Sequence, residues 1–160
     1  LAKEIREIVN SNNTFNIYAM KRDTFFFGKL LRYGGHQHDY PVRLFPKGKA
    51  RFIQPVHETL ETELPVKKLN SVLLHYSTRD WNHYQQKLRE YIPLELETMK
   101  HLGKKPYIWK VVVFPLLTFL RLYFLKLGIF DGRQGFMYAV LSSYYAGLKT
   151  FRYYRSFKDK

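Results

Sequence analysis

The chain has 160 residues, which is enough for one hydrophobic core but not for two large domains. It carries 27 Lys and Arg against 13 Asp and Glu, a formal net charge of +14 that favours phosphate-rich partners such as nucleic acid, anionic lipid or nucleotide. Cysteine is absent, which excludes disulfides, thiolate metal sites and cysteine nucleophiles.

The first half of the chain is typical of a short helix followed by strands and polar loops. Leu1, Ile5, Ile8 and Val9 share one helical stripe, and the Asn-rich stretch after them predicts its end. The alternating stretch TFNIYAM and the runs TFFFG, PVRLF and ARFI predict short strands, separated by Gly-Gly, Pro and PKGK turn signals. The run LNSVLLHYS, residues 69–77, predicts one more strand.

A longer helix is predicted next. Apolar and aromatic residues keep helical spacing from Trp81 onward, so we expect a helix over residues 79–102 that is kinked at Pro93. Ser77, three positions before Asp80, is a candidate capping box. The change of pattern predicts a boundary here, with one region at 1–78 and a helical, basic region at 79–160.

The last third of the chain is apolar, aromatic and basic. Two apolar helices are predicted on either side of the turn GIFDGRQG. The longest uncharged run, residues 111–120, is shorter than the roughly 20 apolar residues of a membrane span. Lys, Arg, Trp and Tyr at its edges favour a hairpin that lies in or dips into the membrane interface. The alternative is a helical pair packed on the first half, and the two are compatible.

Polar groups concentrate on the loops between residues 33 and 58. Gly34 and Gly35 allow a tight turn and a close approach of the backbone to a ligand. His36 and His38 follow at once, but alone they do not complete a metal site of the usual kind.

Further along, a histidine and a carboxylate are adjacent, and another histidine lies in an apolar run. His57 and Glu58 follow a strand-like segment, where a loop would place both side chains at a sheet edge. His75 stands between Leu74 and Tyr76, where a histidine is more often a hydrogen-bonded core residue than a ligand.

The order of these motifs carries a resemblance to a known family. The motifs YGG, HDYPVRLF, GKARF, VHE and LLHYS, followed by an aromatic helix and the tail LRLYFLKLGIFDGRQGF, resemble the family 2 glycosyltransferases of bacterial envelope biosynthesis. The similarity is greatest to lipopolysaccharide core glycosyltransferases of the beta-1,4-glucosyltransferase type. The resemblance covers essentially the whole chain and matches the acceptor-side, C-terminal portion of such an enzyme.

This resemblance implies a fold and a reaction. The fold would be α/β of the GT-A type, here only the acceptor-side half with short strands, followed by a mostly α-helical C-terminal region. The reaction would transfer a sugar from a nucleotide-sugar donor to a lipid-linked or lipopolysaccharide-core acceptor, with inversion at the anomeric carbon. The enzyme would be peripheral, on the anionic cytoplasmic face of the bacterial inner membrane.

The resemblance also implies residue roles. Glu58 would be the catalytic base that takes a proton from the acceptor hydroxyl. His75 would join a metal and diphosphate site. Substrate binding falls to five residues: Gly34, Gly35, Asp39, Arg43 and His57.

One part of the family pattern is absent. Enzymes of this family have an N-terminal nucleotide-binding half with an Asp-x-Asp metal motif, and no such triplet occurs in this chain. We therefore expect a C-terminal fragment or a split gene product that is inactive alone. The divalent cation, Mg²⁺ or Mn²⁺, would need the missing half.

Two alternatives remain open at this point. Strong positive charge with 13 Tyr and 13 Phe also suits a nucleic-acid-binding module without enzymatic activity, although no known binding motif is present. A purely structural membrane-surface protein is the third interpretation, and it would leave the histidine and carboxylate loop without a purpose.

Overall fold

The computed structural model describes residues 1–11, 16–52 and 60–158. In this part of the chain, one helix precedes six strands in the first half, and helices alone form the second half. The strands are β1 (Ile17–Phe26), β2 (Lys29–Leu31), β3 (Val42–Leu44), β4 (Arg51–Phe52), β5 (Leu60–Glu61) and β6 (Val66–Thr78). The helices are α1 (Ala2–Asn10), α2 (Trp81–His101), α3 (Lys110–Leu120) and α4 (Gly132–Lys158).

A four-stranded sheet is built around β1. This strand pairs with β2, β3 and β6, and its pairing with β3 is antiparallel with a register shift between Tyr18 and Ala19. β1 and β2 are joined by the two residues Phe27 and Gly28, with φ of 47° and 77°. Positive φ at both turn positions matches the right-handed twist of the flanking strands, which closes a tight hairpin. A second, two-stranded sheet pairs β4 with β5, antiparallel.

The chain divides into two compact units. The first unit comprises residues 1–24 and 38–75, and the second comprises residues 25–37 and 76–160. The core of the first unit is the buried cluster Tyr18, Met20 and Leu69. The apolar face of α1, with Ile5 and Ile8, packs on this cluster, as its helical stripe predicts.

In the second unit, α2 and α4 pack together through buried polar contacts as well as apolar ones. The hydroxyl of Tyr84 on α2 donates to the carbonyl of Leu141 at 2.8 Å, and burial raises the pKa of Tyr84 to about 12. The Glu95 carboxylate accepts hydrogen bonds from Tyr145 at 2.7 Å and from Lys149. These contacts satisfy polar groups that would otherwise be costly to bury.

The helices α3 and α4 form a hairpin. A π-helical turn (Arg121–Leu125) and a 3₁₀ turn (Gly128–Asp131) lie between them, and Leu127 adopts a left-handed backbone with φ of 60°. Among the described residues, no single helix has both the length and the apolarity of a membrane span. The stretches Lys110–Leu125 and Gly128–Lys158, bent by 74°, pass that criterion only as a pair, on length and composition.

The prediction of a chain that mixes helices with a sheet is confirmed, and the sheet is antiparallel where its register is defined. The likeness to a GT-A fold stays a prediction. The stretches TFNIYAM and TFFFG were predicted as separate strands, but residues 17–20 of the first and residues 24–26 of the second belong to the single strand β1. The helix cap also differs from the expectation: Ser77 lies within β6, and Asp80 caps α2 by accepting from the His83 amide at 2.8 Å.

Candidate functional site

The glycine loop, residues 33–37, is the best-defined part of the candidate site and lies in the second unit. Gly34 and Gly35 have φ of 70° and 102°, in the left-handed region where side chains with a Cβ are strained. Gly34 is buried, and a Cβ there would lie 3.4 Å from the ring of Tyr138. Gly35 is exposed, with nothing near the position of a Cβ. The loop thus requires two glycines, one for packing and one that presents open backbone.

The loop is held by the carboxylate of Asp131, the last residue of the 3₁₀ turn directly before α4. Asp131 Oδ1 accepts from the Arg32 amide at 3.0 Å, and Oδ2 accepts from the Tyr33 amide at 2.8 Å. Hydrogen bonds to an ionised carboxylate are stronger than those between neutral groups. Asp131 therefore fixes the entry to the glycine loop.

A backbone carbonyl holds the rest of the loop. The carbonyl oxygen of Lys126 accepts from the Gly34 amide at 2.8 Å and from Gln37 Nε2 at 3.0 Å. The other side-chain atom of Gln37, Oε1, accepts from the Gly35 amide at 3.0 Å. The rings of His36 and Tyr138 meet at 5.1 Å between centroids, in an edge contact. Apart from the bond between Gly35 and Gln37, which is internal to the loop, these contacts join the loop to the α3–α4 hairpin.

The other described site candidates belong to the first unit. Asp39 Oδ2 accepts from Arg22 Nε at 2.7 Å, and the carbonyl of Asp39 accepts from the Arg22 amide at 2.9 Å. This double contact fastens the segment before β3 to β1. Arg43 is exposed on β3, where its Nη1 donates to the carbonyl of Val42 at 3.2 Å.

His75 lies on the more buried face of β6. Its neighbours Leu74 and Tyr76 are 56% and 57% exposed, whereas His75 itself is half-buried. His57 and Glu58 lie outside the described residues, in the connection between β4 and β5. Within residues 1–11, 16–52 and 60–158, no group of three His, Asp or Glu side chains is placed to hold a metal ion.

Comparison with known proteins adds a relationship to this geometry. The chain is 31% identical over 118 residues to "Lipopolysaccharide core biosynthesis glycosyltransferase LpsC" of Rhizobium meliloti (strain 1021). This similarity supports a relationship to a glycosyltransferase. The match covers 71% of this chain and 43% of LpsC, so the chain spans less than half the length of this relative. No protein-family model matches the chain, and no solved structure matches it significantly.

With this glycosyltransferase relationship in view, the residue that sequence analysis missed is Asp131. The motif GIFDGRQG was interpreted as a turn and as part of the family resemblance, and no role was predicted for Asp131, although it is one of just two acidic residues after residue 97. The available sign of a role for Asp131 was its isolated carboxylate, between Phe130 and Gly132 in a strongly basic region. Its partners, Arg32 and Tyr33, lie about a hundred positions earlier, and their local sequence gave no sign of the contact.

Proposed function

We propose that the chain forms the acceptor side of a glycosyltransferase that transfers a sugar from a nucleotide-sugar donor to a lipopolysaccharide-core or other lipid-linked acceptor, with inversion. The observation that carries this proposal is the 31% identity to LpsC over 118 residues. The finer assignment, family 2 with a GT-A fold, rests on the order of the motifs from YGG to DGRQG. Residues 1–78 would supply the acceptor-side part and residues 79–160 the membrane-associating part.

Glu58 is the proposed catalytic base. An acceptor hydroxyl is a poor nucleophile until a carboxylate within hydrogen-bond reach removes its proton as it attacks the anomeric carbon. The departing nucleoside diphosphate gathers negative charge, which a positioned cationic side chain stabilises. Arg43, exposed on β3, is the candidate for that role, with His57 and Asp39 as further substrate contacts.

The described residues do not fit a divalent-cation site on their own, since no three potential ligands converge among them. Every step proposed above therefore uses side chains of the chain itself. The assignment of His75 to a metal site stays a prediction.

The α3–α4 hairpin supports a membrane surface as partner. Between Lys110 and Arg121, α3 carries no charged residue, and its outward positions Val112, Leu116 and Leu117 are each more than half exposed. Lys110 lies over the rings of Tyr107 and Trp109 at 4.8 and 5.7 Å, the aromatic and cationic pairing typical of a membrane interface. We propose peripheral attachment to anionic lipid on the cytoplasmic face of the bacterial inner membrane.

The test is Glu58→Gln in the protein encoded by the complete open reading frame, with transfer of labelled sugar from nucleotide-sugar donors to a lipid-linked core acceptor as the readout. Glutamine keeps the size of the side chain but does not accept the proton, so we expect a loss of transfer of about 10²-fold or more with an unchanged circular dichroism spectrum. The matched control is Glu63→Gln, an exposed carboxylate in the same unit, which should keep wild-type activity. Full activity of Glu58→Gln would remove Glu58 from the base role. Absence of transfer by the wild-type protein with every donor would overturn the proposed function.

A further inference from the structure

The turn between α3 and α4, residues 125–131 and here called the tip, exposes apolar side chains to solvent. Leu125 is 78% exposed and Phe130 is 68% exposed, while Leu127 and Ile129 are each 44% exposed. Cationic side chains stand next to them, since Lys126 lies within the tip and Arg121 and Arg133 flank it, all three exposed. Apolar residues with a cationic rim suit the boundary between headgroups and acyl chains of an anionic leaflet.

The same tip holds the glycine loop. Its Lys126 carbonyl and Asp131 carboxylate together accept four hydrogen bonds, which come from Arg32, Tyr33, Gly34 and Gln37. The ring of Tyr33 also contacts that of Phe130, with 5.5 Å between centroids. A solvent-exposed residue of the tip therefore contacts a residue of the loop directly.

We propose that Asp131 is a positioning residue that makes the glycine loop part of the membrane-facing tip, so that the loop contacts the saccharide headgroup of a lipid-linked acceptor at the bilayer surface. This inference rests on the proposed function and specifies the acceptor-contacting segment. A loop with two consecutive glycines is flexible unless it is held from outside. Asp131 and the Lys126 carbonyl hold this loop. When the tip enters the leaflet, the exposed Gly35 is therefore brought to the same surface.

The charge complementarity favours lipid over another protein copy as the occupant of the tip. From residue 100 to the end there are twelve Lys and Arg against two Asp, which gives +10 of the total +14. The basic regions of two copies of the chain repel each other, whereas an anionic leaflet attracts each of them. Dimerisation through the tip is therefore an outcome that the test must be able to detect.

The experiment is hydrogen–deuterium exchange on the protein encoded by the complete open reading frame, with and without vesicles of phosphatidylcholine that contain about one third phosphatidylglycerol. The variants are Asp131→Asn, Gln37→Met and Glu97→Gln. Asp131→Asn removes the carboxylate that accepts from Arg32 and Tyr33. Gln37→Met removes the hydrogen bonds of the Gln37 side chain to the Lys126 carbonyl and the Gly35 amide, and it leaves the residues of the tip unchanged. This variant keeps the test informative if Asp131→Asn does not fold. Glu97→Gln makes the same charge change as Asp131→Asn at an exposed position of α2.

We expect vesicles to slow exchange in residues 125–131 and residues 32–37 of the wild type and of Glu97→Gln. In Asp131→Asn and Gln37→Met the tip should stay protected while residues 32–37 lose that protection. Protection of the tip alone in the wild type would overturn the inference, and so would equal loop protection in wild type and Asp131→Asn. If residues 125–131 are already protected from exchange without vesicles and the protein has the mass of a dimer in solution, the tip binds a second copy of the chain. That result would also overturn the inference.

A kinetic readout separates positioning from a general structural role. Asp131→Asn should raise KM for the lipid-linked acceptor about tenfold while KM for the nucleotide-sugar donor stays unchanged, because only the acceptor meets the loop. A uniform fall in kcat with both KM values unchanged would overturn the positioning role. Failure of the wild type to transfer any sugar would overturn the proposed function, whereas the vesicle-dependent exchange of the loop is measured without turnover.

Discussion

Gly147 of α4 lies against Pro115 of α3, and a Cβ at position 147 would come within 2.9 Å of Pro115 Cγ. The proline ring is rigid, so it does not move aside as a flexible side chain would. The hairpin depends on this close approach, since α3 packs along α4. The proline lies inside α3.

We expect Gly147→Ala to lower the stability of the second unit by about 1 kcal/mol. Overpacking costs about 1–3 kcal/mol, and the better helix propensity of alanine offsets about 1 kcal/mol of that. Gly135→Ala should cost more, because its Cβ would lie 1.8 Å from the carbonyl oxygen of Gly128, which is backbone. Thermal unfolding of both variants and the wild type gives the order of their Tm values, which should be wild type, Gly147→Ala and then Gly135→Ala. A Gly147→Ala protein with an unchanged or higher Tm would contradict the tight contact.

Removing the carboxylate of Glu95 should destabilise the contact between α2 and α4. Its side chain is 12% exposed, and Lys149 loses its ionic partner in Glu95→Leu, which costs about 3 kcal/mol for a buried pair. In the double variant Glu95→Gln, Lys149→Met the buried charge is gone, and Gln still accepts from Tyr145. We expect the double variant to recover most of the loss in urea unfolding. Equal destabilisation of the two proteins would show that the ion pair contributes little.

The stability of the first unit should fall in acid through Glu4. Its carboxylate accepts from the amides of Asn70 and Ser71 at 2.8 and 3.0 Å, and hydrogen bonds from Ser71 and Asn70 lower the pKa of Glu4 from its ordinary value of 4.5. A carboxylate whose pKa is lower in the folded state stabilises above its unfolded pKa and loses that effect as pH falls through the folded pKa.

The comparison is Glu4→Gln with the wild type, by urea unfolding at pH 7 and at successively lower pH. The variant should be less stable at pH 7, and the gap should narrow below about pH 4. Glu7→Gln, on the same helix with only an exposed contact to Lys3 at 4.0 Å, should behave like the wild type. A gap for Glu4→Gln that stays constant with pH would contradict the role of the charged form.

Attachment to lipid should depend on the outer face of α3. Leu116 is 56% exposed, so Leu116→Glu leaves the fold intact but places a charge on that face. Burial of a leucine side chain is worth about 1.5–3 kcal/mol, which predicts at least a tenfold weaker partition into anionic vesicles. The control is Leu94→Glu on α2, at 48% exposed. Co-sedimentation with vesicles measures both, and equal binding of Leu116→Glu and the wild type would exclude this face.

The helices were predictable from the sequence because their periodic patterns are local. Residues 79–102 were expected to be helical, and α2 spans Trp81–His101 with Pro93 inside it. The division of β1 into two strands was wrong for a physical reason. The charged run Lys21, Arg22, Asp23 interrupts the alternation, but in the fold Arg22 pairs with Asp39 and Lys21 with Asp23, so the strand continues through it.

The candidate site was predictable only in part. Gly34 and Gly35 were recognisable, since consecutive glycines are a strong turn signal. The contacts that hold them were not, because the Lys126 carbonyl is a backbone atom and any residue type could supply it. Asp131 acts on amides 98 and 99 positions away, a distance over which periodicity carries no information.

The left-handed backbone of Leu127 has a consequence for how the tip is optimised. A residue with a Cβ costs about 1–2 kcal/mol in this conformation, and glycine does not. The Leu127 side chain regains little of that cost by packing, because 44% of it is exposed. In water alone, glycine is the better residue at this position, whereas leucine is the better one for adhesion to a lipid surface. Under the proposed attachment to lipid, the best sequence for the dissolved protein and the best sequence for the attached protein differ at position 127, and leucine is the residue that suits the attached one.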